Sequence, residues 1–238
     1  MKLMDAVGRP AVAALFDCDG LLADTEPLWG AAMERVLHDR DCLPDGMAQL
    51  TLELTGASID CTVQRLTDLM GLPAPSSSLV EDALLTAYAE IAAERGVCAM
   101  PGAASLVRTV AGELPVAVVS NSPQRVVLAT LDALRLTNLM SVVVGAHGTC
   151  QPKPSPEPYL LACQLLGVPA TRCAAFEDSV PGARAAAAAG IGVTVVPPPE
   201  AITASYPAVC RIVSSLNDVV AHLSSTAPSS GHASESPV

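Results

Sequence analysis

Five short apolar runs bounded by turn residues constrain this chain more than any other feature: Ala11 to Phe16, Val116 to Ser120, Val142 to Val144, Cys173 to Phe176 and Val193 to Val196. Their continuous apolar character suits strands buried on both faces. Between the last four lie helix-length segments, about Pro123 to Leu136, Pro156 to Leu166 and Pro181 to Ala189. Each opens with a proline, which the first turn of a helix accepts because the missing N–H would be unpaired there anyway. Alternation of strand and helix implies a parallel sheet covered on both faces, and right-handed crossovers reduce the topology to a doubly wound, Rossmann-like α/β sheet. Hydrophobic residues make up 50% of the chain but aromatics only 3%, so the core has to be built from Ala, Val and Leu. The run Ala185 to Ala189 reads as a helix packed closely on the sheet.

The stretch from about Asp24 to Arg95 breaks that rhythm. It holds helical periodicities at Leu28 to Leu37, Cys61 to Met70 and Val80 to Glu94, a loop at Pro73 to Ser78, and no convincing strand. The expected organisation is an α/β core over residues 1–23 and 97–223, a helical insertion over 24–96, and a disordered Ser/Pro/Ala-rich tail over 224–238. The two linkers fall near Leu22 to Thr25 and Gly96 to Met100.

With 24 acidic and 13 basic side chains the formal net charge is −11, which argues against a surface that tracks nucleic-acid phosphates. Arg108, Glu113, Arg184, Gly and Pro interrupt the apolar stretches before they reach the roughly 18 residues a membrane span requires, and the first residues lack the apolar core of a signal peptide. The eight cysteines form no Cys-x-x-Cys pair and read as free, mostly buried cytosolic thiols. The four histidines, His38, His147, His222 and His232, share no metal-ligand spacing.

The chemistry-bearing residues fall at the carboxyl ends of consecutive expected strands, the edge where open α/β sheets build their sites. Asp17 and Asp19 follow the first strand at i and i+2; each also suits a turn or helix cap, but two carboxylates sharing a crevice need a cation or a shared proton. Ser120, Asn121 and Ser122 end the second strand just before a helix, where free backbone N–H groups favour an anion. Lys153, one of only two lysines with Lys2, lies in a proline-rich stretch that restricts its backbone. Glu177 and Asp178 end the fourth strand and suit a hard cation such as Mg²⁺. Acids, a cation site, hydroxyls and one ammonium at a single edge fit phosphoryl transfer.

From Phe16 to Pro27 the chain reads Phe-Asp-Cys-Asp-Gly-Leu-Leu-Ala-Asp-Thr-Glu-Pro. With Ser120, Lys153 and Glu177-Asp178, this resembles the four motifs of the haloacid-dehalogenase superfamily, in its β-phosphoglucomutase-like phosphatase branch. The resemblance runs from about Val12 to Val196, and the insertion sits where this branch carries a helical cap. It implies that Asp17 is the nucleophile and Asp19 the general acid and then base. Mg²⁺ would be held by Asp17, the Asp19 backbone carbonyl and Asp178, with Glu177 as a ligand or beside it. Ser120, the Asn121 backbone N–H and Lys153 would grip the phosphoryl oxygens.

Other chemistries of the superfamily fit less well. A dehalogenase needs neither Asp19 nor Asp178, and a phosphonatase needs a cap lysine, which is absent between Lys2 and Lys153. Leu54 to Ser58 resembles the cap segment of the β-phosphoglucomutases, but the arginine they place next is here Ile59 and their histidine is here Trp29. Asp24 to Trp29 looks like the hexose- and polyol-phosphate phosphatases. Trp29 is nevertheless assigned to core packing, the ordinary role of a lone tryptophan, and Arg125 to an exposed helix face. A receiver domain lacks the insertion and orders its acids differently, and a non-catalytic binding protein would be expected to have lost some acids. The expectation is a cytoplasmic, Mg²⁺-dependent phosphatase of a small phosphorylated metabolite, a sugar or polyol phosphate. It would be a monomer or weak dimer, with no nucleic-acid or membrane partner; the sugar-phosphate mutase is the alternative.

Overall fold

The computed structural model describes residues 3–146, 150–199 and 205–225. Its elements are β1 (Ala13–Phe16), α1 (Glu26–His38), α2 (Met47–Leu54), α3 (Ile59–Leu69), α4 (Ser77–Arg95), α5 (Ala103–Ala111), β2 (Val116–Pro123), α6 (Gln124–Ala133), β3 (Val142–Ala146), α7 (Glu157–Leu166), β4 (Cys173–Glu177), α8 (Val180–Ala188), β5 (Gly192–Val195), β6 (Arg211–Ile212) and α9 (Leu216–Ser225). The strands form one sheet in the order β3-β2-β1-β4-β5-β6, every pairing parallel. The doubly wound α/β reading therefore holds, with β1 at the point where the winding reverses.

Alternation along the strands sorts the core into two layers. Ala14, Phe16, Val116, Val118 and Phe176 pack with Leu106 and Val107 of α5, Leu131 of α6 and Leu216 of α9. Leu15, Ala117, Val119, Ala175 and Val193 face the other way, against Tyr159 and Ala162 of α7 and Ala183 and Ala186 of α8. Small alanines on α8 let that helix lie close to the sheet, as its composition implied. Phe16 stacks on Phe176 across β1 and β4, ring centroids 4.8 Å apart, which aligns the ends of those strands. Asp17 follows Phe16 directly and Glu177 follows Phe176, so the two carboxylates leave the sheet side by side.

The helices α1 to α4 bury a separate apolar cluster, including Leu28, Met33, Leu37, Leu66, Leu84 and Ile91. Its two connections to the sheet pair with each other. The Asp24 N–H donates to the Cys98 carbonyl at 2.9 Å and the Met100 N–H to that of Leu22 at 3.0 Å.

Several expectations need correction. β1 starts at Ala13 rather than Ala11, and β2 runs on through Pro123. Residues Pro73 to Ser78 are no simple loop: Ala74–Ser76 make a 3₁₀ turn and Ser77 starts α4. The tail does not begin at 224, because α9 continues to Ser225; residues 226–238 lie outside the described residues. Helices α2, α5 and α9 and the two-residue β6 lie outside the expected elements, although α5 carries a clear stripe at Ala103, Leu106, Val107 and Val110. The eight cysteines are free, but only Cys18, Cys163 and Cys173 are buried, so the mostly buried reading fails. Arg125 is exposed, as expected.

Candidate active site

The structure brings the predicted residues from four strand ends into one cluster. Asp17, Glu177 and Asp178 each offer a carboxylate oxygen within 4.8 Å of the others, and all three are buried. Lys153 reaches this cluster from the β3–α7 connection. Its Nζ donates to Asp17 Oδ1 at 2.9 Å and to Glu177 Oε1 at 2.6 Å, with the side chain almost wholly buried. Two features of the sequence make room for this crowding. Gly20 has φ +77°, and a side chain there would collide with Asp178; a side chain at Gly182, in α8, would collide with the Glu177 carboxylate.

Three carboxylates against one ammonium leave the cluster short of positive charge. Burial, with Glu177 beside it, raises the Asp17 carboxyl to about 7 even though Lys153 pulls it down. Burial, then Asp17 and Glu177, likewise push Asp178 well above the usual carboxylate range. Burial disfavours the Lys153 ammonium, but Asp17 and Glu177 outweigh it and hold its pKa above that of an ordinary lysine. A dication would let both aspartates ionise together.

The donor set fits such an ion. Asp178 Oδ1 is buried with no hydrogen-bond partner, an orphan atom that a hard cation would satisfy. Asp17 keeps Oδ2 unengaged by any described residue, since its Cys18 N–H and Lys153 bonds both go to Oδ1. Glu177 differs from the other two. Its Oε1 accepts from Lys153 and from Tyr159 Oη, the latter at 2.6 Å, and its Oε2 accepts from Ser179 Oγ at 3.2 Å. With both oxygens engaged, Glu177 acts in this arrangement as the anchor of Lys153.

Asp19 stands apart from the trio and is filled from two sides. Thr25 Oγ1 and Trp29 Nε1 donate to its Oδ1 at 2.7 and 3.2 Å, while Ser120 Oγ and Ser122 Oγ donate to its Oδ2 at 3.0 and 2.8 Å. The Ser120 hydroxyl thus points at Asp19 here and would have to rotate to meet a phosphoryl oxygen. The Asn121 side chain is a brace: its Oδ1 accepts from the Lys153 N–H at 2.8 Å, and its Nδ2 donates to the Lys153 and Gly56 carbonyls at 3.2 and 3.1 Å. The Gly56 bond ties the sheet edge to the α2–α3 turn.

A cavity opens on this cluster, lined at the sheet edge by Asp17, Asp19, Ser120, Asn121, Ser122 and Lys153 and on the helical side by Glu26, Trp29, Met33, Leu54, Ile59 and Thr62, among others. Trp29 is therefore no plain core residue. It stacks on Tyr88 at 4.1 Å between ring centroids and spends its N–H on Asp19. Thr25, Glu26 and Tyr159 also belong to the site and are not among the residues expected there. The first two lie inside the motif read from Phe16 to Pro27, but nothing in spacing alone shows which of its residues turn inward. His38 and His222 do not join the carboxylate cluster, and Lys2, His147 and His232 lie outside the described residues.

A family model of haloacid dehalogenase-like hydrolases matches residues 12–190. The chain belongs to the haloacid dehalogenase-like hydrolases. It is 32% identical to hexitol phosphatase B of Escherichia coli K12 over 202 residues, covering 81% of this chain and 86% of the relative. It is 30% identical to the phosphoglycolate phosphatase of the same organism over 229 residues, covering 86% and 89%. The crystal structure of CbbY from Rhodobacter sphaeroides in complex with phosphate superposes with a TM-score of 0.78 at 25% identity, over 88% of this chain and 96% of that one. Family and relatives together make this hydrolase a phosphoric monoester hydrolase. No helix among the described residues is long and apolar enough to cross a membrane.

Proposed function

We propose that this hydrolase is a cytoplasmic, Mg²⁺-dependent phosphatase of a small sugar or polyol phosphate, working through an aspartyl-phosphate on Asp17. The observation that carries the reading is the buried Asp17, bonded to Lys153 through Oδ1 and unengaged at Oδ2, beside an Asp178 oxygen that lacks any partner. Mg²⁺ held by Asp17, Asp178 and the Asp19 carbonyl would neutralise charge on the nucleophile and the phosphoryl group. Residues 24–96 act as the cap over a core of 1–23 and 97–223.

In the first step the Asp17 carboxylate attacks phosphorus through the oxygen that does not hold the metal, the bond to the ester oxygen breaks, and Asp19 delivers a proton to the departing alcohol. In the second, Asp19 takes a proton from water, the water oxygen attacks phosphorus, and the Asp17 carboxylate leaves as inorganic phosphate is released. Lys153, Ser120 and the Asn121 backbone N–H hold the phosphoryl oxygens as charge develops on them. The hexitol phosphatase among the relatives supports a polyol or sugar substrate. Eight free cysteines fit a reducing compartment.

The test is a phosphate-release screen over sugar, polyol and nucleotide monophosphates with a parallel β-glucose 1-phosphate isomerisation assay. Net phosphate release without isomerisation is expected; isomerisation without release would replace this reading with the mutase.

A further inference from the structure

The cavity is divided sharply by charge. At the sheet edge Lys153 serves the phosphoryl group, and it is the only cation among the described residues that line the cavity. The helical side, where the remainder of the substrate has to lie, presents Trp29, Met33, Leu54, Ile59 and Thr62, and its one charged group is the acid Glu26. The insertion does contain arginines, but they are directed elsewhere. Arg35 pairs with Glu90 at 3.0 Å and Arg65 with Glu53 at 3.3 Å, while Arg40 and Arg95 are exposed outside the lining.

The adjoining depressions repeat the pattern. The groove between α1, α2 and the Pro197–Pro199 segment has Asp24, Glu26 and Asp178 in its described lining, and the opening beside β3 has Asp60, Glu81 and Glu157; neither has a Lys, Arg or His there. A leaving group carrying a carboxylate or a second phosphate would be desolvated against acids with nothing to pair it.

Glu26 is under-used by the protein itself. The only described donor to it is Thr55 Oγ1, at 3.4 Å to Oε2, and the same hydroxyl lies closer to the Thr51 carbonyl at 3.1 Å. Oε1 accepts from none of the described residues. Burial, with Asp19 nearby, raises the Glu26 carboxyl to about 7. Ionised or protonated, it remains an acceptor for a hydroxyl hydrogen, and no other charged group stands on that wall.

Building on the proposed phosphatase activity, we infer that the site selects an uncharged polyhydroxy leaving group, with Glu26 accepting from one of its hydroxyls, and rejects phosphomonoesters that carry a carboxylate or a second phosphate. Glu26 is the specificity-determining residue, and Ile59, half-buried at the start of α3, lines the wall where a second anion would need a partner.

The experiment measures phosphate release by the purified full chain with Mg²⁺ from sorbitol 6-phosphate, 2-phosphoglycolate, fructose 1,6-bisphosphate and p-nitrophenyl phosphate. The expected kcat/KM for sorbitol 6-phosphate exceeds those for both anionic substrates by about 100-fold or more, the scale of the penalty for a buried polar or charged group left without a partner. Glu26→Ala should lower the ratio of sorbitol 6-phosphate to p-nitrophenyl phosphate by about 10-fold or more, because the second substrate has no hydroxyl for it to hold. Ile59→Arg should shift the preference toward 2-phosphoglycolate. Equal or better turnover of 2-phosphoglycolate or the bisphosphate by the unaltered chain overturns the inference and leaves the phosphatase standing. Release from none of the four, p-nitrophenyl phosphate included, overturns both.

Discussion

The sheet edge and the helical wall of the same cavity are built on opposite principles. At the sheet edge Asp17, Glu177, Asp178 and Lys153 are buried together, with Tyr159, Ser179 and the Asn121 brace fixing them from behind. On the helical wall a few apolar side chains, Thr62 and the loosely held Glu26 face the same space with hardly a hydrogen bond among them. A crowded polar network tolerates little movement, because any lost partner leaves a buried charge unpaired. The wall can change side chains at the ordinary cost of repacking. On the proposed function, phosphoryl chemistry is fixed in the rigid half and substrate choice is held in the adaptable one.

Substitutions at the sheet edge should therefore have large effects. Asp17→Asn should reduce phosphate release on the order of 10⁴-fold or more, because Asp17 is the nucleophile of the proposed mechanism. Its thermal midpoint should not fall, because the change removes one of three like charges. Far-ultraviolet circular dichroism with a melting curve separates the two effects. A large loss of stability would show that Asp17 is a structural anchor first.

Lys153→Met should lose activity on a similar scale and stability as well. Removing one partner from a buried pair costs about 3–5 kcal/mol, and for a chain of this size each kcal/mol moves the midpoint by about 2–4 °C, so a drop on the order of 10 °C is expected. An unchanged melting curve would contradict the buried ion triad.

The acid cluster also sets a pH dependence for the metal-free protein. With Asp17 raised from its unfolded value of 3.8 to about 7, the folded state binds more protons than the unfolded state between those values. Its stability contribution is present below about pH 4 and is lost as pH rises through about 7. Asp178 is raised in the same direction and adds to the trend. Added Mg²⁺ should therefore raise the melting midpoint more at pH 8 than at pH 5, by about 5–10 °C at saturating metal. An equal shift at both values would contradict the coupling of the carboxylates to a cation.

A smaller effect is expected at Tyr159. Tyr159→Phe removes one donor to Glu177 without touching the substrate, costing about 1 kcal/mol and roughly 2–4 °C. Acting through Lys153, it should lower kcat several-fold with little change in KM. Loss of stability with kcat intact would reduce Tyr159 to a packing residue.

The same contrast explains what could be read from the chain. Asp17, Glu177 and Asp178 stand at the ends of apolar strands and Ser120 in the carboxyl half of β2, and strand ends in a parallel sheet converge by geometry, so linear position already brings them together, while Lys153 joins them from the connection beyond β3. Trp29 and Glu26 lie on a helix whose docking depends on tertiary packing. Helical periodicity identifies the face that Leu28, Met33 and Leu37 bury, but does not say that Trp29 will leave it for Asp19. Helix α2 is short and ends in the Leu54 to Ser58 segment, with only Leu50 and Leu54 buried, too few positions for a periodic signal. Tyr159 was hidden for a related reason: the proline-rich run places α7, but only the folded chain shows its hydroxyl on Glu177.

On the proposed mechanism Asp17 carries the phosphoryl group in turnover. The most direct measurement is a single-turnover reaction with excess enzyme and Mg²⁺, quenched in acid and analysed by peptide mass spectrometry. A phosphoryl group is expected on the peptide containing Asp17, at that residue, and none in Asp17→Asn. Label on a different side chain, or full substrate turnover by Asp17→Asn, would contradict it.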